Sequence, residues 1–537
     1  MLPIPLRPLL GVLAPAAILF CAGCGDPEQV DSGRGAPSAG WDVLIQGGTV
    51  VDGTGEPGYL ADVALRGDRI VRVSADGLDP AAAATVVDAT GLVVAPGFVD
   101  LHTHLNTLDD HPGAQSHVRQ GVTTALGGPD GGSLWPFGES LAEIEAMGVG
   151  MNVGYLVGHN TIRRSVMGMD DRAPTPEELA RMTDMVAQAM DEGAWGISTG
   201  LKYLPGAFSE VDEVVALSAA AAEAGGIYTS HLREEGLGLL EGVSEAIEIG
   251  RRANIPVVLT HHKVVGLPMW GASTTTLAMV DSARAAGVDV MIDQYPYSAS
   301  YTGIGILVPA WAMAGGDEAF LARLDDPALA DSILAGIEFN IVNDRGGNDL
   351  DRVQFARVAW DPTLEGRTLG DWARDRGLEP TSANGARLVV EAIRNGGTSN
   401  VFFAMDEGDV EAIMAHPTTM IASDGRLTAP GIGHPHPRWY GTFPRVLGEY
   451  VRERGVIDLE TAVRKMTSMP AQRMGLEERG EVREGWIADL VVFDPETVVD
   501  RATFEDPHKY PEGIPWVLVS GVAQVADGGV RDRRPGK

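Results

Sequence analysis

The sequence predicts an α/β protein: a (β/α)8 barrel of the TIM type with a small β domain built from both ends of the chain. Two observations lead to this fold class. Eight short apolar segments alternate along the chain with longer segments of helical periodicity, an order typical of a parallel barrel. At the two ends, short alternating segments rich in turn residues are typical of antiparallel strands instead.

The predicted barrel spans residues 96–475. Its strands are predicted at 97–101, 122–126, 152–157, 196–201, 227–230, 256–260, 289–293 and 419–422. Helices are predicted between several of them, at 177–192, 211–224, 239–253 and 275–286. Residues from about 299 to 400 do not follow the alternation, so we predict an insertion after the seventh strand.

The chain ends are predicted to form a single β-sandwich domain, from residues 41–95 and 476–537. In the first part, strands are predicted at 42–46, 49–51, 62–65 and 69–73, and Gly67-Asp68 is a hairpin signal. In the second part, segments 487–493 and 517–522 each predict one strand.

The first 24 residues have the features of a secretory signal. Arg7 precedes an apolar segment, 9–20, that is too short to span a bilayer. Ala22-Gly23-Cys24 resembles a bacterial lipobox, although Cys21 stands where such boxes usually have leucine. We predict lipidation at Cys24, a flexible tether over residues 25–40, and a position on the periplasmic side of a cell envelope. Ordinary secretion with cleavage near Gly23 is the alternative.

Composition narrows the function classes. Hydrophobic residues make up 44% of the 537 residues and charged residues 21%, as in globular proteins. The net charge of −33 would repel nucleic acid and anionic membranes, so we expect a small-molecule substrate and membrane contact only through the lipid anchor. The only cysteines, Cys21 and Cys24, lie in the leader, which leaves no thiolate metal ligand elsewhere.

Paired histidines at the end of the first barrel strand indicate half of a metal site. In Gly97-Phe-Val-Asp-Leu-His-Thr-His, His102 and His104 are two residues apart, and such residues point to the same side of a strand. Neutral imidazoles are common ligands of transition metals.

Four further polar residues stand at the ends of other predicted strands. They are Asp130, His231, His261 and Asp424. Because the strand ends of a parallel barrel meet at one mouth, we predict a single divalent metal centre there, with zinc as the metal and one or two ions. Its predicted ligands are His102, His104, Asp130, His231, His261 and Asp424.

Motifs along almost the whole chain, from residue 41 to 522, resemble the amidohydrolase superfamily and, within it, the D-aminoacylase group. They are GFVDLHTH (97–104), GVTT (121–124), STGLKYLPG (198–206), SHLR (230–233), THHK (260–263), HPRWYGTF (436–443) and RGEVREGWIADLVVFD (479–494). The resemblance implies a metal-dependent hydrolase that cleaves the amide bond of N-acyl-D-amino acids to a carboxylate and a free D-amino acid.

The sequence departs from this group at one metal ligand. Members usually have Gly-Asn-Cys-Gly after the second strand, and the cysteine binds zinc. Here Gly128-Pro-Asp-Gly131 aligns Asp130 with that cysteine. A carboxylate is a harder ligand than a thiolate, so it can still bind or bridge zinc but suits Mn or Fe better than cysteine does.

The resemblance also implies roles for other residues. Asp424 is the expected catalytic base toward the attacking water and the proton donor to the leaving nitrogen. Lys263, Tyr297 and Arg438 are the expected anchors of the substrate carboxylate. Lys202 stands near the position of the carboxylated lysine that bridges two metals in some amidohydrolases, but Asp130 already fills that role.

Two alternatives to the deacylase stay open. A dipeptidase or another C–N hydrolase of the same superfamily would share the paired histidines and the aspartate of the eighth strand. A lipoprotein with this barrel could also be a non-catalytic solute-binding protein, although every expected metal position has a competent residue.

Overall fold

The computed structural model describes residues 40–345, 349–531 and 533–537. The predicted signal peptide, Cys24 and all of the tether except Gly40 lie outside the described residues. Trp41–Lys537 forms one compact unit. Within the described residues, no helix is both long and apolar enough to cross a membrane.

Parallel strands that follow one another in chain order form the centre of the molecule. One sheet joins the first three strand segments, and a second joins the next six. They are Phe98–Asp100, Val122–Gly127 and Asn152–Tyr155, then Val157–Gly158, Gly196–Gly200, Ile227–His231, Val257–Leu259, Val290–Gln294 and Thr419–Ile421. Beyond the last strand, Gly425–Arg426 pairs in parallel with Thr103–His104, which brings the end of the series beside its beginning.

Helices cover the outer side of these strands. The side chains of Val257 and Leu259 pack in the same cluster as helix residues such as Leu217 and Ile249. The intervening Val258 packs in a different cluster, with side chains of other strands. This alternation follows from the two-residue period of a strand.

The α-helices vary from single turns to five turns. They are Gln115–Val118, Phe137–Met147, His159–Met167, Pro176–Asp191, Val211–Glu223, Leu239–Ala253, Ser273–Ala285, Asp317–Leu324, Pro327–Asn343, Leu369–Asp375, Ser382–Arg394, Glu407–Ala415, Arg438–Arg445, Leu459–Met466 and Ser468–Met474. A π-helical stretch, Val446–Glu453, continues the helix that begins at Arg438. Thr175 caps Pro176–Asp191 in a reciprocal capping box with Glu178.

Both chain ends contribute to one nine-stranded mixed sheet. Leu490–Phe493 pairs antiparallel with Val93–Pro96, which joins the C-terminal strands to the N-terminal ones. In order, the sheet contains Gly529–Val530, Val522–Ala526, Trp516–Val519, Leu490–Phe493, Val93–Pro96, Trp41–Val50, Tyr59–Arg66 and Arg69–Ser74, with Ala83–Asp88 also paired to Trp41–Val50.

The predicted single strand at 517–522 is wrong. Ser520 has a positive φ of 47° and Gly521 one of 76°, so the chain turns there and makes a hairpin from Trp516–Val519 and Val522–Ala526. A Ser-Gly pair is a turn signal that outweighs the apolar residues on either side.

Residues from about 299 to 405 surround a hydrophobic cluster of their own. A three-stranded antiparallel sheet of Ser300–Gly303, Ser399–Phe402 and Val353–Arg357 packs with the helices Pro327–Asn343 and Ser382–Arg394. Its middle strand, Ser399–Phe402, pairs with both of the others.

The strand that precedes the paired histidines is held by close packing and by Asp100. A Cβ at Gly97 would lie 2.7 Å from Cβ of buried Thr123, so only glycine fits there. The carboxylate of Asp100 accepts a hydrogen bond from the backbone N–H of Ser423 at 2.9 Å, and the N–H of Asp424 donates to the carbonyl of His102 at 3.0 Å. These contacts fix the first strand end against the last.

The substitution Gly97→Ala is expected to destabilise the protein. Its methyl group has no room beside Thr123, so we expect the free energy of unfolding to fall by about 1–3 kcal/mol. The shift of the urea midpoint measures this change. Gly305→Ala is the matched control, because a Cβ there meets nothing within 4 Å. Equal midpoints for the two variants would contradict the packing argument.

Candidate metal centre and active site

The ends of five strands bring the six predicted ligands to one place. His102 and His104 follow Phe98–Asp100, and Asp130 follows Val122–Gly127. His231 ends its strand, while His261 and Asp424 come two and three residues after theirs. Nitrogen or oxygen atoms of these side chains form two groups, each with its atoms within 4.8 Å of one another.

The first group contains His102, His104, Asp130 and Asp424. Nε2 of His104 lies 3.1 Å from Oδ1 of Asp424 and 3.4 Å from Oδ2 of Asp130. Nε2 of His102 lies 3.5 Å from Oδ1 of Asp130 and 3.7 Å from Oδ1 of Asp424. Two imidazoles and two carboxylates at these separations form a set of ligands for one divalent cation.

The second group contains Asp130, His231 and His261. Nδ1 of His231 lies 2.8 Å from Nε2 of His261, and Oδ1 of Asp130 lies 3.2 Å from that Nε2. Asp130 belongs to both groups. Its position between them is that of a bridging ligand.

Two of the facing donor atoms, Nε2 of His102 and Oδ1 of Asp130, have no hydrogen-bond partner among the described residues. Among the described residues, both ring nitrogens of His102, Oδ1 of Asp130 and Nε2 of His231 are buried without a hydrogen bond. Buried polar atoms without partners are costly, and their clustering at one point fits a site for a divalent cation. Nitrogen and carboxylate ligands in this number suit zinc.

The backbone is strained at three of the ligands. Asp130, His261 and Asp424 have positive φ angles of 55°, 36° and 46°. A non-glycine residue in this region costs of order 1 kcal/mol or more and persists only where the surroundings impose it. Three of the eight non-glycine residues with positive φ in the described part of the chain are therefore metal-ligand candidates.

Burial and neighbouring charges shift the pKa values of the histidines and aspartates in the ligand cluster. Burial lowers the pKa of His102, but the carboxylates of Asp130, Asp424 and Asp293 together raise it to about 9. Burial alone would raise the pKa of Asp130, yet the neighbouring His102 and His261 hold it well below its ordinary value. Burial lowers the pKa of His231 to about 3. The carboxylates are therefore ionised and His231 is neutral, the forms that bind metal.

A cavity of about 570 Å³ opens above the cluster. His104, Asp130, His231, His261 and Asp424 all line it. Its volume is typical of small-molecule sites, so the cluster faces a space that a substrate can enter.

Two of the three predicted carboxylate anchors line this cavity. Arg438 is buried, and its NH2 group lies 3.0 Å from Oδ1 of Asp424, while its Nε and NH1 have no partner among the described residues. Nζ of Lys263 contacts Glu235 and lies 2.7 Å from Nδ1 of His261. Unpartnered guanidinium donors beside an ammonium group form a site for a carboxylate.

The structure places Tyr297 elsewhere. Its hydroxyl donates to Asp500 at 2.7 Å, and it does not belong to the described lining of the cavity. Tyr295 lines the cavity instead, with the guanidinium of Arg438 4.5 Å from its ring centre. The sequence Tyr-Pro-Tyr offers two tyrosines, and its pattern does not tell which one faces the site. The prediction for Tyr297 is therefore wrong; Tyr295 is the tyrosine of this pair that lines the cavity, and its hydroxyl donates to Sδ of Met405 at 3.9 Å.

Sequence reasoning missed a buried ion-pair network beside the second ligand group. Glu235 accepts from Lys263 and from NH2 of Arg345 at 3.1 Å, and lies 3.5 Å from Nε2 of His231 and 3.4 Å from Nδ1 of His261. A carboxylate behind metal-binding histidines orients their rings. Glu235 stands four residues after His231, a signal that could have been noticed. The sequence has no comparable signal for Arg345, which comes from the inserted region.

Lys202 does not join either ligand group. Its Nζ lies 2.7 Å from Glu234 and 3.5 Å from Asp344. Asp130, not Lys202, belongs to both ligand groups.

Comparison with known proteins identifies the family. A family model described as Amidohydrolase family matches residues 85–524. The chain belongs to this family. It is 39% identical to D-aminoacylase of Alcaligenes xylosoxydans xylosoxydans, over 90% of this chain and 94% of that protein. It is 37% identical to N-acyl-D-glutamate deacylase of the same organism, over 90% and 93% of the two chains.

A solved structure of this amidohydrolase family has the same fold. It is N-acyl-D-glutamate deacylase from Bordetella bronchiseptica, complexed with zinc and a phosphonate inhibitor that mimics the tetrahedral intermediate of the reaction. The TM-score is 0.78 and the identity 35%, with 93% of this chain and 99% of that chain covered. The fold is therefore of the TIM-barrel type with mixed sheets, and the superfamily predicted from the motifs is confirmed.

Removal of divalent cations is expected to destabilise the amidohydrolase and to abolish its hydrolytic activity. Zn²⁺ at 1,000 times its Kd should stabilise the chelator-treated protein by about 4 kcal/mol. Because His102 must lose its proton to bind and its pKa is about 9, apparent metal affinity should fall by about tenfold per pH unit below that value. Calorimetry and metal analysis over a pH series measure both effects.

The control for this experiment is Asp130→Ala, which removes the ligand shared by both groups. Its unfolding temperature should respond little to chelator or to Zn²⁺. A wild-type protein with the same unfolding temperature in chelator and in Zn²⁺ near neutral pH would contradict the metal site.

Proposed function

We propose that this protein is a metal-dependent hydrolase that cleaves the amide bond of N-acyl-D-amino acids and releases a carboxylate and a free D-amino acid. One observation supports this function above others. The unpartnered donors of Arg438 lie beside Asp424, so an amino-acid carboxylate bound there places its amide nitrogen near the ligand cluster. The D configuration follows from the relatives, which are named for D-amino-acid substrates.

Each residue has a definite part in this chemistry. A divalent cation, when bound, lowers the pKa of water and polarises a carbonyl oxygen. Arg438 and Lys263 hold the substrate carboxylate and so fix the amide over the cluster, and the ring of Tyr295 packs against both cations. Glu235 keeps the rings of His231 and His261 in place and neutralises Lys263 and Arg345 in part.

Asp424 moves the proton. Its Oδ1 already contacts His104 and Arg438, so Oδ2 is the atom that accepts a proton from the attacking water and gives it to the leaving nitrogen. Burial alone would raise the pKa of Asp424, but the charge of Arg438 lowers it. The carboxylate is therefore ionised at neutral pH. A base is needed in the ionised form at the start of the cycle.

The strand order supports a finer description of the fold. The pairing of Gly425–Arg426 with Thr103–His104 favours closure of the eight parallel strands into a (β/α)8 barrel. The nine-stranded sheet from both chain ends favours a β-sandwich beside it, and residues 299–400 an insertion.

The substitution Asp424→Asn tests the function and the base together. On metal-loaded protein, N-acetyl-D-amino acids should be hydrolysed in preference to their L-enantiomers and to dipeptides.

In the variant, kcat should fall about 100- to 10,000-fold with the metal content nearly unchanged. Asp281→Asn, at an exposed helix position, is the matched control. Retained turnover in a metal-replete variant would refute the assignment of Asp424, and preference for dipeptides would favour a dipeptidase.

We also propose that Cys24 is lipidated and tethers the enzyme to the periplasmic side of a bacterial envelope. The support is the leader sequence alone. Wild-type protein made in a bacterium should incorporate labelled palmitate and fractionate with membranes. Cys24→Ser should lose both properties, whereas Cys21→Ser should keep them. Label in Cys24→Ser, or wild-type protein in the medium, would contradict the anchor and favour ordinary secretion.

A further inference from the structure

A second cavity, of about 720 Å³, adjoins the active-site cavity. The inserted region and the loop that follows the strand Gly196–Gly200 form its walls. Much of this wall is apolar, through Leu201, Leu204, Ile306, Pro309, Met313 and Phe339. We call this cavity the side groove. Nothing in the chemistry described above uses it.

The two cavities meet at four residues. Tyr203, Leu204, Thr302 and Gly303 line both of them. Gly303 has no side chain, and its backbone is exposed. A flexible chain that starts in the active-site cavity can therefore pass over Gly303 into the side groove.

Polar groups in the side groove already have partners. Lys202 pairs with Glu234 at 2.7 Å, Arg233 with Glu245 at 2.8 Å, and Nδ2 of Asn340 donates to the carbonyl of Leu307 at 3.0 Å. An apolar occupant would therefore not deprive any of these groups of its partner. It would gain free energy from contact with the apolar wall without the cost of a buried, unpaired polar group.

The orientation of the bound substrate determines whether its acyl half or its amino-acid half reaches the side groove. In the proposed function, Lys263 and Arg438 hold the amino-acid carboxylate at one side of the ligand cluster. Tyr203 lies at another side, where its ring packs against His231 with 4.4 Å between ring centres. The acyl half of the substrate extends from the scissile amide away from the amino-acid half. It therefore extends toward Tyr203 and the side groove.

An exposed aromatic side chain at the far wall agrees with this direction. Phe339 is 55% exposed, and it is one of eleven large apolar side chains that are exposed among the described residues. Exposed apolar surface that borders a cavity is typical of a ligand-binding groove.

We propose that the side groove binds an apolar acyl chain, so the preferred substrates are N-acyl-D-amino acids with long unbranched acyl groups rather than N-acetyl derivatives. This inference rests on the proposed deacylase function and names its substrate class. The acyl chain lies along Leu204, Met313 and Phe339, while the amino acid occupies the active-site cavity.

The test compares acyl chains on one D-amino acid. With the metal-loaded protein, kcat/KM is measured for the acetyl, butanoyl, hexanoyl, octanoyl and decanoyl derivatives. Each methylene that enters the groove should raise kcat/KM about two- to fourfold until the groove is filled. A parallel series with a fixed acetyl group and longer apolar amino-acid side chains should show no comparable rise.

Two variants locate the effect in the side groove. At Gly305 a Cβ has open space and the backbone φ is not positive, so Gly305→Phe should fold and fill the groove. Phe339→Asp should make its wall polar. Each should lower the ratio of kcat/KM for decanoyl to that for acetyl substrate by at least about tenfold. Leu329→Asp is the matched control, an exposed leucine on the same helix outside the groove, and should leave this ratio unchanged.

The outcomes separate the two proposals. Hydrolysis of N-acetyl-D-amino acids with a flat or falling dependence on acyl length would overturn the acyl groove and leave the deacylase intact. A length dependence that survives in both variants, or that follows the amino-acid side chain instead, would overturn it as well. Absence of hydrolysis with every N-acyl-D-amino acid would refute the deacylase, and with it the substrate class.

Discussion

The carboxylate of Asp130 is the contact on which the active site depends. Its two oxygens lie within 3.8 Å of nitrogen atoms on four histidines, and those histidines come from three different strands. Without a cation, four imidazoles and two carboxylates would be buried together with unpartnered donor atoms. The fold accepts strained backbone at Asp130, His261 and Asp424 to keep this arrangement. The free energy of metal binding therefore offsets both the unpartnered donor atoms and the strained backbone.

Asp130 also differs chemically from the thiolate expected at its position in the D-aminoacylase group. A thiolate offers one sulfur atom, whereas a carboxylate offers two oxygens. Oδ2 faces His104 of the first ligand group, and Oδ1 faces His261 of the second. One side chain can therefore serve both groups through separate atoms. The added hardness of oxygen extends the range of metals toward Mn and Fe without excluding zinc.

The sequence predicted the elements whose signal is local. Apolar runs with flanking turns located the parallel strands, and the two-residue spacing of His102 and His104 directed them to one side. Convergence of the other ligands followed from the rule that strand ends meet at one mouth. One error, the single strand at 517–522, overlooked a local Ser-Gly turn signal, whereas two others occurred where the outcome depends on tertiary contacts. The choice between Tyr295 and Tyr297 is decided by Asp500, and Arg345 reaches Glu235 from more than 100 residues away. No local pattern encodes either contact.

The inserted region shows how the metal chemistry of a barrel can be joined to a particular substrate. The ligands and Asp424 come from strand ends, which the parallel sheets hold rigidly. Arg345, Thr302, Ile306 and Phe339 come instead from a region with its own hydrophobic cluster, so changes there need not disturb the metal centre. Charged groups of this region face the amino-acid side, and its apolar groups line the side groove. Loops of the barrel and the insertion therefore line both cavities jointly, and the insertion supplies Arg345 to the active-site cavity and Ile306 and Phe339 to the side groove.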